Sequence, residues 1–218
     1  MRHRLPDHVS FGLLHGRAVA LDLVADRYLM LGPAETAFLC ARPADGPSDV
    51  RSACVASLER HGLICARGGS EIAPVIADPL QASALEAVEE DGRLGVAEAA
   101  IARWRSGLIL RRCGLARLVA RWRAVREAAR FRSDASDAEA AFIARGYARA
   151  RTYIPARKLC VPDSLALARS LWRRGIDADV FFGVRLHPFM AHAWVQRGGL
   201  LLSDRLGTVA EYTPVFRL

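Results

Sequence analysis

Arg157-Lys158-Leu159-Cys160-Val161-Pro162-Asp163-Ser164-Leu165-Ala166-Leu167-Ala168-Arg169-Ser170-Leu171-Trp172-Arg173-Arg174-Gly175 reads as the opening and body of one helix. Leu165, Ala168, Leu171 and Trp172 share a face at helical spacing, and Gly175 supplies a residue suited to closing the C-terminus. Pro162 has no N–H and is accommodated only in a first turn, so Cys160 must sit at the helix start. Unpaired backbone N–H groups and the positive end of the helix dipole favour a thiolate at that place. A nucleophile would be well served there.

Working outward toward the C-terminus, Asp179 to Val184 is an apolar, aromatic strand, followed by a second strand from Met190 to Gln196. Along the second strand His192 and Trp194 point to one face and Ala191, Ala193 and Val195 to the other. Arg197-Gly198-Gly199 then turns the chain into Leu200 to Asp204. With a three-residue loop the pairs are 196 with 200, 194 with 202 and 192 with 204, so His192 and Asp204 become cross-strand partners about 5 Å apart. A two-residue turn would pair 192 with 205 and put Asp204 on the wrong face. The expectation is therefore the three-residue loop. Cys160 would attack a carbonyl as thiolate, His192 would exchange the proton, and Asp204 would orient the ring and stabilise its cation. The backbone N–H of Cys160 is the first oxyanion donor expected. Taken singly, each residue has a plainer explanation: a cysteine or strand histidine is usually structural, and a strand-end aspartate is usually a turn residue. Only their joint placement argues for chemistry. His187, directly before Pro188, reads as a loop residue.

Toward the N-terminus, Ala97 to Arg132 is helical, with Trp104, Leu108, Leu115, Leu118, Val119 and Trp122 as the apolar stripe of a core-packed helical pair and arginines on a solvated face. Residues 77 to 95 carry Pro79 and the acids Glu86, Glu89, Glu90 and Asp91, which suits a linker or an exposed helix. Before it, Val9 to Leu14, Ala18 to Leu23 and Arg27 to Leu31 form a three-stranded meander. A helix opens at Pro33; after the Pro/Gly-rich Pro43 to Pro47, Ser48 can cap a second helix that ends at Gly62. Leu63 to Ile76 is expected to be a short hairpin around Gly68-Gly69. The fold class is α+β in two domains, 1–80 and 96–218, joined by a linker at 81–95.

With 218 residues, 52% of them hydrophobic, the chain can bury a sizeable core. No uncharged run approaches the roughly 18 residues of a membrane-spanning helix, and Pro6, Asp7 and His8 interrupt any signal-like apolar start, so a soluble, cytoplasmic protein is expected with no membrane partner. The five cysteines (40, 54, 65, 113 and 160) form no CxxC pair, which argues against a disulfide framework or a zinc site. Cys40, Cys54, Cys65 and Cys113 read as small core residues, and neither a metal nor a cofactor is expected. The net charge of +8, concentrated between Arg103 and Arg132, attracts anions in general and names none.

The run from Cys160 to Leu167, then Arg173-Arg174-Gly175-Ile176, Gly183-Val184-Arg185, Phe189-Met190-Ala191-His192-Ala193-Trp194-Val195 and Asp204, closely resembles the lasso peptide B proteins. The resemblance covers the last third of the chain. It implies a papain-like or transglutaminase-like cysteine peptidase with Cys160, His192 and Asp204 as its triad, removing the leader from a ribosomally made precursor so that an asparagine-synthetase-like cyclase can close the ring. In fused members of that family a winged-helix-like, PqqD-like module precedes the peptidase, and Leu21-Asp22-Leu23 with Asp26-Arg27-Tyr28 looks like its second and third strands. Carried over, the leader would add along Tyr28, Leu29, Met30 and Leu31 and against a helix face of Val50, Cys54 and Leu58. Arg42 to Pro47 departs from that module by replacing its middle helix. Two other functions share some of these features. A nucleic-acid-binding winged-helix regulator would need a basic recognition helix, where the helix after Ser48 offers only Arg51 and Arg60, so no nucleic-acid partner is expected. A transglutaminase-like transfer of the acyl group to an amine would use the same residues.

Overall fold

The computed structural model describes residues 3–40, 48–87 and 91–218, with the side chains of 48–51 left aside. Pro43 to Pro47, the Ser48 cap, the Val50 and Arg51 side chains, Glu89 and Glu90 therefore lie outside the described residues. Two compact units result, Met1–Ile76 with Thr213–Phe216 and Ala77–Tyr212 with Arg217–Leu218.

The first unit opens with β1 (Val9–Leu14), β2 (Arg17–Asp22) and β3 (Arg27–Met30), an antiparallel meander in that order. Its first turn is two residues, His15 and Gly16, because Leu14 pairs with Arg17. At the second turn the Asp22 carboxylate accepts the N–H groups of Val24 and Ala25 at 3.0 Å each, a side chain substituting for backbone partners. Helix α1 (Pro33–Cys40) is fastened to β2 by the Ala18 N–H donating to Thr36 Oγ1 at 3.0 Å, and α2 (Ser48–Arg60) follows. Phe11, Ala20, Leu31, Leu39, Leu58 and Leu63 make the core. The expected hairpin at 63–76 is corrected: Cys65 bridges to Arg4 and Ser70 to Leu5, so the two arms pair with the chain's beginning.

In the second unit β4 (Ala82–Ser83) precedes three long helices, α3 (Val96–Glu127), α4 (Asp137–Thr152) and α5 (Cys160–Trp172). Then come β5 (Asp179–Arg185), β6 (Met190–Arg197), β7 (Leu200–Leu201) and the one-turn α6 (Leu206–Val209), after which the chain runs into β8 (Thr213–Arg217), whose residues up to Phe216 belong to the first unit. Strands β4-β7-β6-β5 lie in that order, with β4 parallel to β7 and the others antiparallel, and Leu218 exchanges two 2.9 Å backbone bonds with Val180.

Helix α5 is the centre of this unit. Leu165, Ala166, Leu167, Ala168 and Leu171 are at most 1% exposed, so it is buried on more than the single stripe that the periodicity implied. Each fully buried leucine contributes about 1.5–3 kcal/mol of transfer free energy. Trp122 of α3 donates its ring N–H to the Leu165 carbonyl at 3.2 Å, and Ser164 donates to the Ala193 carbonyl of β6 at 2.9 Å. One bond holds the helix from behind and the other fixes it to the sheet.

Two expectations change here. In α3, Leu115, Leu118, Val119 and Trp122 are buried as expected, but Trp104 is 65% exposed and Arg103 faces inward instead. Gly114, at φ 77° and ψ 177°, breaks the helix there, and a stripe drawn straight through a break does not continue on one face. The stretch assigned to a linker or exposed helix supplies a strand, with Ser83 and Ala84 buried at 7% and 2%.

Candidate active site

Cys160 is the first residue of α5, and its neighbourhood is built by ion pairs that the hydrophobic pattern does not reveal. Asp163, one turn on, receives the Leu159 N–H on Oδ2 at 2.9 Å, closing the helix start upon itself. Its Oδ1 meets Arg151 Nε at 2.7 Å, Arg103 Nε at 2.9 Å and the Tyr147 hydroxyl at 3.3 Å. The same arginines grip the loop leading to the cysteine: Arg151 donates to the carbonyls of Ile154 (3.0 Å) and Ala156 (2.8 Å), and Arg103 to that of Arg157 (2.8 Å). Both guanidiniums are buried, so the carboxylate between them offsets a desolvation cost that neither could bear alone. Burial, reinforced by the Asp163 charge, raises the Tyr147 hydroxyl far above its usual range and keeps it a neutral donor.

On β6, His192 Nε2 lies 3.1 Å from Asp204 Oδ1. The carboxylate can only accept, so Nε2 carries the proton and Nδ1 is left to exchange one with the cysteine. Burial works against the imidazolium, but hydrogen bonds and charges from Asp204 and Cys160 outweigh it and raise His192 to about 9. Burial likewise opposes the Cys160 thiolate, yet hydrogen bonds from His192 and the Ala193 and Val161 N–H groups bring the thiol below its ordinary value. Both shifts favour a thiolate–imidazolium pair. The Tyr212 ring lies against the imidazole, centroids 5.4 Å apart, with the Arg185 guanidinium 5.5 Å over Tyr212.

Asp204 reaches His192 by a route other than the one expected. Arg197 pairs with Leu200, so the turn is the two-residue Gly198-Gly199, made possible by Gly198 at φ 52°. Continued, that register would set Asp204 opposite Ala193, on the wrong face. The ladder instead ends once Leu202 N–H bonds to the Val195 carbonyl at 2.8 Å. Ser203 Oγ then takes the Val195 N–H at 2.9 Å, in place of a backbone carbonyl, and donates to Asp204 Oδ2 at 2.6 Å. This bend turns the carboxylate back toward the ring. Ser83 Oγ, which accepts the Leu85 N–H at 3.1 Å, donates to the Asp204 carbonyl at 2.6 Å.

A cavity of about 470 Å³ opens over the three residues, walled by Leu85, Tyr147, Leu159 and Leu202 among others. Its size suits a small ligand or a few residues of peptide. The sequence thus named the three residues that meet here but missed Arg103, Tyr147, Arg151, Asp163, Ser83 and Ser203. An acid in a helix's first turn was the available signal for Asp163; the two serines gave none.

The other expected positions fare differently. Tyr28 and Leu29 are half-buried and Met30 is 42% exposed on the outer strand β3, whereas Leu31, Cys54 and Leu58 are 8%, 6% and 1% exposed. The last three are core residues and present no surface to a peptide. All five cysteines are free, but Cys40 and Cys113 are exposed and Cys65 intermediate, so only Cys54 of the four fits the core role. His187 sits in the β5–β6 turn. Among the described residues no three His, Cys, Asp or Glu side chains converge as metal ligands would, and no helix is long and apolar enough to cross a membrane.

A cysteine at the head of a buried helix, facing a histidine on an antiparallel sheet and an aspartate just past a strand's end, is an arrangement that the papain-like and transglutaminase-like folds share. The chain belongs to the transglutaminase-like superfamily, whose family model matches residues 102–217. It is also 41% identical over 58 residues to the microcin J25-processing protein McjB of Escherichia coli, a match covering 24% of this chain and 28% of that relative's length. Together the two matches bear out the resemblance to the lasso peptide B proteins. No solved structure matches the chain.

Proposed function

We propose that this protein is a cysteine peptidase that removes the leader from a ribosomally made lasso precursor. The observation that carries the proposal is His192 lying between Cys160 and Asp204 on the wall of a cavity, with the thiol lowered and the imidazole raised. The Cys160 thiolate attacks the scissile carbonyl, and the backbone N–H of Cys160 supports the oxyanion. His192, as imidazolium, protonates the departing amine, leaving a thioester on Sγ. Neutral His192 then takes a proton from water, whose hydroxide attacks the thioester, releases the leader's new carboxyl group and leaves Cys160 and His192 again as thiolate and imidazolium. Asp204 keeps the ring aimed and steadies its cation throughout.

The processing role of the McjB relative supports a peptide substrate for this site. The first unit serves as the PqqD-like recognition module, with the leader adding as a strand along Tyr28, Leu29 and Met30 of β3. The amine freed by cleavage passes to an asparagine-synthetase-like cyclase. Incubating the protein with a lasso-type precursor and weighing the products tests this directly. Wild type should yield leader plus water's mass and free core, and Cys160→Ala should bind leader without cleaving. Cleavage undiminished in Cys160→Ala would refute the mechanism, and an added amine's mass on the leader would make the reaction a transfer.

A further inference from the structure

The geometry points to Ser83, on the stretch by which the chain enters the second unit, as a positioning residue for the His192–Asp204 pair; this rests on the peptidase proposal above. Asp204 lies beyond the end of the β6–β7 ladder, which stops at Leu202, so no strand pairing holds its backbone. What holds it is side-chain bonding from two directions. Ser203 fixes the carboxylate from the β6 side through Val195. Ser83 fixes the main chain from the opposite side, donating to the Asp204 carbonyl at 2.6 Å while its own oxygen accepts the Leu85 N–H.

A further bond belongs to the same clamp: Glu86 Oε2 accepts the Leu206 N–H at 3.1 Å, just past Asp204. Parallel pairing of Ala82 with Leu200 and Ser83 with Leu201 sets the register of these contacts. Buried to 7% exposure, Ser83 has its donor and acceptor both engaged, and so has one geometry available to it. Loss of its hydroxyl frees the Asp204 carbonyl to drift, and a displacement of well under an ångström would lengthen the bond to His192. Ser83 does not touch the reacting atoms; it acts through Asp204. Cys160, Asp204 and Tyr212 face the ring whose behaviour reports the effect.

The experiment compares full-length wild type, Ser83→Ala and Ser83→Thr. It follows the His192 ring by NMR against pH, and kcat and KM on a precursor peptide. Ser83→Ala should lower the His192 midpoint and reduce kcat about tenfold at constant KM, as expected for a misplaced orienting group. Ser83→Thr, which keeps the hydroxyl, should restore both. Wild-type midpoint and kcat in Ser83→Ala would overturn the inference. So would equal losses in both variants that follow a lowered melting temperature, which would make Ser83 a packing residue. If Ser83→Ala shifts the ring's titration in a protein that cleaves no precursor, the positioning role stands and the peptidase proposal falls.

Discussion

Cys160 and Asp204 reach one imidazole from opposite kinds of structure. The cysteine stands at the start of a helix whose body is almost wholly buried, and Pro162, the apolar residues and Gly175 all dictate where that helix begins and ends. The aspartate stands just past a two-residue strand, where regular pairing has stopped and two serine hydroxyls hold the chain. A helix start is fixed by many small packing terms acting together, so no single substitution should move it far. A bend outside the ladder depends on two or three hydrogen bonds, so each one matters.

The contrast can be broken most severely at Asp204 itself. Asp204→Asn should cut kcat by up to about four orders of magnitude, because the amide can turn its N–H toward the ring and hold the wrong tautomer. The pH profile gives the sign. Activity needs thiolate with imidazolium, so it should rise through the lowered Cys160 value and fall as His192 loses its proton near 9. Asp204 is a cause of the raised histidine, so Asp204→Asn should bring the falling limb to lower pH. An unmoved limb would mean that the carboxylate does not govern the ring.

At the start of α5 the largest effect should be on stability. Asp163→Ala leaves Arg103 and Arg151 buried beside each other without their carboxylate, at a cost of about 3–5 kcal/mol in urea unfolding. A loss below 1 kcal/mol would show the pair to be solvated. Ser203→Ala should cost less, about 1–3 kcal/mol, by orphaning the N–H of fully buried Val195. Its kcat loss should nonetheless exceed that of any conservative change along α5, since it loosens the bend; an unaltered kcat would remove the distinction between the two ends. Smallest of all should be Trp104→Ser, within about 0.5 kcal/mol of wild type. Trp122→Ala, its counterpart on the other side of Gly114, should cost about 3–5 kcal/mol.

These differences also explain what the sequence could tell. The α5 boundaries, the β5 and β6 strands and the N-terminal meander were legible because periodic burial and turn residues repeat the same message over many positions. The hairpin register was not: Gly198-Gly199 allows either loop length, and the choice of a three-residue loop assumed that pairing alone must bring Asp204 to His192. The residues proved to meet through a broken ladder. Ser83 was illegible for a different reason, since its partner lies far along the chain and a lone serine in a polar stretch carries no pattern. Arg103 was hidden among arginines that do face solvent, and Trp104 took its place in the expected stripe.

The pairing of Cys160 with His192 is tested most directly by competition among the chain's own thiols. Limited iodoacetamide at pH 6, followed by peptide mass mapping, should label Cys160 well ahead of the exposed Cys40 and Cys113, and His192→Ala should abolish that lead. Labelling of Cys160 no faster than Cys40 or Cys113, or a lead that survives His192→Ala, would contradict the thiolate–imidazolium pair on which the proposed chemistry depends.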